Sequence, residues 1–308
     1  MFSDGEIHFM PSITLDNGLT VGAKVELEAQ ADGGSPTGSS SQIDHTFMTL
    51  SGDQLGTIQA GNLNGVGYNT SFVTPGVGSV GIDTGTMSQF IPLLNFPNAH
   101  TDLSGDNLKI NYITPSFNGF TFGVEYTPST QGGNSRDPGV IDRNIANTYD
   151  IWGVAANYSQ SYGTTDVTVH ASYQTGEVED GTPAANTDPE VLRVGASVGF
   201  SGLTVGANYE TVDADTANNA GDIETWVIGA SYDMAGPWTI GADYINGTFD
   251  QGTGVDQEDQ AFRLGAARDL GPGVSFDVNY IMYEGDDKAT AGTERDGNIL
   301  VSTLTFKF

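Results

Sequence analysis

Leu19-Thr20-Val21-Gly22-Ala23-Lys24-Val25-Glu26-Leu27-Glu28 is the stretch that decides the fold class. Leu19, Val21, Ala23, Val25 and Leu27 point one way along an extended chain; Thr20, Gly22, Lys24, Glu26 and Glu28 point the other. A period of two is strand periodicity and excludes an amphipathic helix. The pattern recurs at Phe120, Phe122, Val124 and Tyr126, at Val167, Val169, Ala171 and Tyr173, and at Leu192, Val194, Ala196 and Val198. Leu203 to Tyr209, Trp226 to Tyr232, Trp238 to Tyr244 and Val274 to Met282 continue it.

Working outward, strands are predicted at 6–15, 19–30, 42–51, 55–62, 105–114, 120–128, 148–158, 164–175, 189–199, 202–212, 223–233, 238–248, 258–268, 273–283 and 297–308. Short connectors such as Asp16-Asn17-Gly18 and Phe200-Ser201-Gly202 carry turn-forming residues. They alternate with long polar loops near 31–41, 63–104, 129–147, 176–188, 213–222, 249–257 and 284–296. Short turns on one rim and long loops on the other are the layout of a transmembrane antiparallel β-barrel. Two strands fit less well. Pro11 interrupts the first, which predicts a bulge or weakened ladder, and residues 42–51 alternate poorly.

The charge distribution separates this reading from a soluble sandwich. The apolar sets are nearly free of charge, whereas the opposite sets hold Lys24, Glu26, Lys109, Glu125, Asp166, His170, Arg193, Asp243, Arg263 and Asp277 at mid-strand. Lipid contact accounts for the first, since Lys or Arg at mid-bilayer costs about 2–4 kcal/mol. Water on the polar face accounts for the second. Tyr126, Tyr158, Tyr173, Tyr209, Tyr232, Tyr244, Trp238 and Phe308 fall near segment ends, where aromatic girdles form. Gly22-Ala23, Gly195-Ala196, Gly206-Ala207, Gly229-Ala230, Gly241-Ala242 and Gly265-Ala266 put Gly on the polar face, where small residues would leave room for water.

Composition agrees. The 308 residues include 42 Gly, no Cys, 10 Lys+Arg and 39 Asp+Glu, for a formal charge of −29. The acidity argues against nucleic-acid binding. Zero Cys excludes a disulfide scaffold and thiolate chemistry. No apolar run is long enough for a transmembrane helix, and residues 1–20 lack a signal-peptide pattern.

Several stretches resemble a known family. Thr14-Leu15-Asp16-Asn17-Gly18-Leu19-Thr20-Val21-Gly22 resembles the strand–turn–strand near the start of Gram-negative general porins. Leu50-Ser51-Gly52-Asp53-Gln54-Leu55-Gly56-Thr57 resembles their next hairpin, and Asn111 to Phe120 the hairpin after the constriction loop. Thr303 to Phe308 resembles their C-terminal strand. The resemblance implies a single barrel domain over 1–308, with sixteen strands in the complete protein and about fifteen here, the chain starting after the first strand of the family. It also implies a homotrimer in the bacterial outer membrane, in contact with lipid and lipopolysaccharide. The third external loop, 63–104, would fold into the lumen. The family sets an acidic third loop against basic wall residues, so the expected constriction comprises Asp83, Asp102 and Asp106 facing Lys24, Lys109, Arg193 and Arg263, with Glu26 and Glu125 as wall acids. Gly61-Asn62 stands where many relatives carry Arg, which thins the basic wall.

Other motifs are weaker. Gly76-Val77-Gly78-Ser79-Val80-Gly81 matches a dinucleotide fingerprint without its βαβ setting. Asp83-Thr84-Gly85-Thr86 resembles an aspartic-protease loop without a second copy. Asp213, Asp215, Asp222 and Glu224 resemble an EF-hand spacing without its glycine or helices; they leave open a loose structural Ca2+ among acidic loops. No cofactor is otherwise expected. His8, His45, His100 and His170 show no metal spacing in sequence, and no catalytic arrangement is legible. The expected function is therefore passive diffusion of small hydrophilic solutes and ions with cation preference, and not an enzyme activity. A substrate-specific channel, for sugars for example, is the first alternative, on Tyr68, Phe72 and Phe90 in the third loop. An acidic Ca2+-binding surface protein or adhesin is the second.

Overall fold

The computed structural model describes residues 5–30, 43–78, 81–83, 91, 93, 97–131, 147–179, 187–215, 221–252, 254–287 and 293–307. Among the described residues, sixteen strands and one short helix follow one another. They are β1 (Gly5–Phe9), β2 (Ser12–Thr14), β3 (Thr20–Gln30), β4 (Ile43–Gly52), β5 (Gly56–Asn62), α1 (Val66–Thr70), β6 (Leu108–Ile113), β7 (Phe120–Ser129) and β8 (Asn147–Tyr162). β9 (Thr165–Glu179), β10 (Glu190–Phe200), β11 (Leu203–Asp213), β12 (Ile223–Asp233), β13 (Trp238–Phe249), β14 (Gln257–Gly271), β15 (Val274–Asp287) and β16 (Arg295–Phe306) complete the chain. They make one sheet in chain order from β1 to β16, with β2 also paired to β3. Among the described residues no helix is long and apolar enough to cross a membrane. Phe308 lies outside the described residues.

Two irregularities seen in the sequence have clear geometric forms. Pro11 has no N–H to give to the ladder. It splits the predicted first strand into β1 and β2, both antiparallel to β3, and its carbonyl still accepts the Ala23 N–H at 3.0 Å. On the other side of β3, Val25 pairs with Thr46 and Leu27 with Ile43. One residue, Glu26, thus faces two, Asp44 and His45. This bulge resets the side-chain phase within β4 and gives an intrachain reason for its poor alternation.

Elsewhere alternation follows the predicted phase. Ile110, Phe122, Val194, Ile228, Leu264 and Leu300 are exposed on the apolar face. Their neighbours on the other face are buried or half-buried, among them Lys109, Asn111, Arg193 and Arg263. Tight turns close the hairpins. Asn118 and Gly119 both have positive φ (49° and 87°), as the two-residue turn between strands of right-handed twist requires, and Phe117 and Phe120 exchange main-chain hydrogen bonds across it.

The chain divides into two compact units. One comprises Met1–Thr70, Asp102–Ala156 and Ser172–Glu190; the other comprises Ser71–Thr101, Asn157–Ala171 and Val191–Phe308. The second has an apolar core. Ile82, Ile91 and Ala99 of the long connection between β5 and β6 pack on Val227, Ile245, Ala261 and Ile281. Register explains the platform: Val227 pairs with Ile245, Ile245 with Ala261, and Ala261 with Tyr283. A row of non-polar side chains thus crosses four strands on the otherwise polar face. Truncating Ile245, fully buried in it, to Ala should cost about 2–5 kcal/mol, the range for large-to-small changes in packed cores, read as a lowered midpoint of thermal unfolding in detergent.

Candidate functional site

The connection between β5 and β6 spans 63–107, and its described residues have almost no ladder of their own, so their main-chain groups must find other partners. In the first unit they find side chains of the sheet. The Val66 N–H, at the start of α1, donates to the Glu125 carboxylate of β7. The Gly65 N–H donates to Asp102 Oδ2 at 2.7 Å, and the Leu103 N–H to Gln174 Oε1 of β9 at 3.0 Å. Gln174 Nε2 ties the group together, donating to Asp102 Oδ1 at 2.8 Å and Glu125 Oε1 at 2.6 Å. Lys109 of β6 donates to the carbonyls of Leu63 and Gly105. Nearer β3, Lys24 pairs with Glu26, and His45 bridges Glu26 and Asp106 at 3.0 and 2.9 Å.

In the second unit a similar logic operates. Glu210 of β11 accepts the Thr101 N–H at 3.1 Å and the Arg193 Nε–H at 2.8 Å, while Arg193 Nη2 donates to the Thr101 carbonyl at 2.8 Å. Arg263 of β14 donates to Asp243 of β13, its direct cross-strand partner. Asp83 Oδ2 accepts the Thr74 N–H at 2.8 Å and Asn208 Nδ2 at 3.2 Å, with His100 Nε2 at 3.6 Å. Burial pushes the Asp83 carboxyl up, but the neighbouring His100 imidazole and the Thr74 hydrogen bonds outweigh it and hold it below the ordinary aspartate value of 3.8.

Most of the residues expected at the constriction are buried among partners of their own. Asp83, Arg193, Arg263, Lys109, Glu125 and Glu26 are all buried, Asp83 completely. Each base has its own acceptor, and Asp83 serves as an internal anchor of the loop. Asp102 is half-buried against Gln174, and Asp106 against His45. The interior glycines also differ from expectation. A Cβ on Gly206 would come within 2.8 Å of Pro75, one on Gly229 would strike the Pro75 carbonyl, and one on Gly241 would come within 2.8 Å of Val77. They make room for the loop backbone.

Sequence reasoning passed over Gln174 and Asn208 as site residues, because neutral amides carry no charge signal. Asp243 stands there only as one of the mid-strand charges of the polar face, and Glu210 is not singled out. A signal for Asp243 was available: the hairpin joining β13 to β14 sets it opposite Arg263. The four candidate Ca2+ ligands sit at the β11–β12 connection. Asp213 accepts the Asp215 N–H at 2.8 Å, Asp222 accepts the Ala214 N–H at 2.9 Å, and Glu224 lies in β12 opposite Thr211. Of the aromatic residues proposed for a sugar path, Tyr68 is exposed, Phe72 stacks edge-on against His170 at 5.0 Å, and Phe90 lies outside the described residues.

An antiparallel sheet with an exposed apolar face, whose other face holds a long connection between the fifth and sixth strands, is the arrangement of one protein class. The family model described as Gram-negative porin matches residues 1–288. The chain belongs to the Gram-negative porin family. Among solved structures it resembles OmpF of Salmonella typhi in complex with daunomycin (TM-score 0.69, 16% identity, 98% of this chain and 89% of that one). It also resembles the anion-selective porin from Comamonas acidovorans (0.63, 18%, 98% and 88%) and the trimer form of OmpT from Vibrio cholerae (0.64, 12%, 98% and 91%). No curated protein sequence matches the chain. As a porin it is an outer-membrane β-barrel channel.

Two tests address how this porin holds its third loop. Gly229→Val should displace the Pro75 segment, since overpacking of this kind costs about 1–3 kcal/mol; limited proteolysis between residues 71 and 101 should accelerate in the variant. The second concerns pH. Because the folded Asp83 carboxyl lies below its ordinary value, its contribution is complete above about pH 3.8 and is lost as pH falls through the depressed value. Protease protection of the loop should therefore persist at pH 5 and fall below pH 4, and Asp83→Asn should remove that acid step.

Proposed function

We propose that this porin is a general diffusion channel that passes small hydrophilic solutes and prefers cations. The observation that carries the reading is the accounting of bases on the inner face. Lys24 pairs with Glu26, Arg193 with Glu210 and Arg263 with Asp243, and Lys109 donates to two main-chain carbonyls. Three of the four bases are thus locally neutralised by a carboxylate, and the fourth is held by the loop main chain. Asp44, Asp102 and Asp106 add further carboxylates beside these groups, and the whole chain carries −29. At about 0.15 M salt the Debye length is about 8 Å, comparable to the radius of a narrow pore, so wall charge reaches the axis. Acidic external loops concentrate cations at the mouth.

Selection by size falls to the third loop. An open cavity of about 490 Å3 lies beside residues 72–78 of the loop, lined in part by Thr74, Pro75, Ser197, Thr204 and Ser231. Hydroxyls and small residues suit hydrated solutes of mixed chemistry. A dedicated sugar path on aromatic residues has less support, because Phe72 is engaged by His170. A homotrimer surrounded by lipid and lipopolysaccharide is the assembly we infer, supported by the trimeric OmpT relative.

The deciding experiment is the reversal potential of the protein in a planar bilayer under a KCl gradient. Preference for K+ over Cl− of severalfold is expected at about 0.1 M salt, shrinking toward 1 M as the Debye length falls to about 3 Å. Anion preference would overturn the cation reading, and correctly folded protein without conductance would overturn the open channel.

A further inference from the structure

We propose that Glu6, His8 and Glu26 form a binding site for a divalent transition-metal ion of the Zn2+, Ni2+ and Cu2+ class. Glu6 and His8 share one face of β1, since Ile7 and Phe9 between and beyond them are exposed on the apolar side. Register places His8 directly opposite Glu26. His8 Nε2 then stands 2.8 Å from Glu6 Oε2 and 3.2 Å from Glu26 Oε1. One imidazole nitrogen and two carboxylate oxygens converge, all within 4.8 Å of one another.

The spacing suits a metal. Two ligand atoms each about 2.0–2.1 Å from a tetrahedral Zn2+ lie about 3.3 Å apart, close to the separations between His8 and its two partners. The nitrogen has one proton at most, so it can direct a hydrogen bond fully at only one of the two oxygens; an ion among them serves all three. The central ligand is also held. Glu26 is 5% exposed, and its Oε2 is engaged by Lys24 and by His45 Nδ1, which leaves Oε1 turned to His8. The bulge opposite Glu26 brings His45 into that position. Glu6 and His8 are about one-third exposed, so solvent can complete the coordination and the ion can enter.

The donor set decides the class. Imidazole nitrogen favours Zn2+, Cu2+ and Ni2+, whereas Ca2+ and Mg2+ favour oxygen alone. The local charge favours a cation of either class: Glu6 and Glu26 flank His8, and Asp44 and Asp106 flank the neighbouring His45.

The test is titration of the full-length, detergent-purified protein with ZnCl2, followed by calorimetry, with CaCl2 as competitor. One Zn2+ per chain is expected, with Ca2+ at equal concentration unable to displace it. His8→Ala should weaken binding by about a hundredfold, and His8→Asp should weaken Zn2+ while strengthening Mn2+ and Ca2+. Position 8 lies on the short β1, and heat-modifiable mobility of each variant reports folding. Absence of saturable Zn2+ binding would overturn the proposal, leaving His8 as a hydrogen-bonding group between two carboxylates. Equal competition by Ca2+, or a folded His8→Ala variant within twofold of the wild type, would overturn it as well.

Discussion

The structure depends on one kind of interaction: side chains of the strands accepting hydrogen bonds from main-chain N–H groups of the third loop. Glu125 receives Val66, Gln174 receives Leu103, and Glu210 receives Thr101. A loop of this length has few main-chain partners of its own, and leaving its N–H groups unsatisfied in a buried setting would cost about 1–3 kcal/mol each. The acceptors must in turn be held in place. Arg193 holds Glu210, and Gln174 holds Glu125. Removing either support would leave a buried carboxylate without its principal partner, which is strongly destabilising.

That arrangement changes how the charges of the inner face bear on permeation. An arginine in a water-filled channel acts on passing ions at full strength. An arginine locked against a carboxylate and covered by a loop acts mainly on the loop. Arg193 and Arg263 belong to the second kind. Their presence on the polar phase of strands β10 and β14 therefore says little about anion attraction. The same reasoning applies to the glycines of the inner face, whose missing side chains are replaced by Pro75 and Val77.

The Glu26 neighbourhood shows a different use of register. His8 and His45 are far apart in sequence and have no metal spacing along the chain. They meet on either side of Glu26 because β1 and β4 flank β3, and because the bulge turns Asp44 and His45 toward one carboxylate. A strand pair can thus assemble ligands that no linear motif would reveal.

The amino-acid sequence by itself determined the strands, their phase and the apolar outer face, because a period of two is a local property and lipid tolerates almost no charge. It also marked Pro11 and residues 42–51 as irregular, and the long segment after the fourth predicted strand as the third loop. The tertiary structure alone decided what the polar face contacts. Period-two alternation separates the two faces without distinguishing water from a folded loop, since both accept Gly, Asp and Arg. Whether Arg193 meets solvent or Glu210, whether Gly229 leaves a void or seats Pro75, and whether Asp83 faces the channel or anchors Thr74 depend on where residues 71–101 lie. That position is set by cross-strand register, the apolar row from Val227 to Ala261 and the hydrogen-bonding needs of the loop backbone, all of which join residues far apart in the chain.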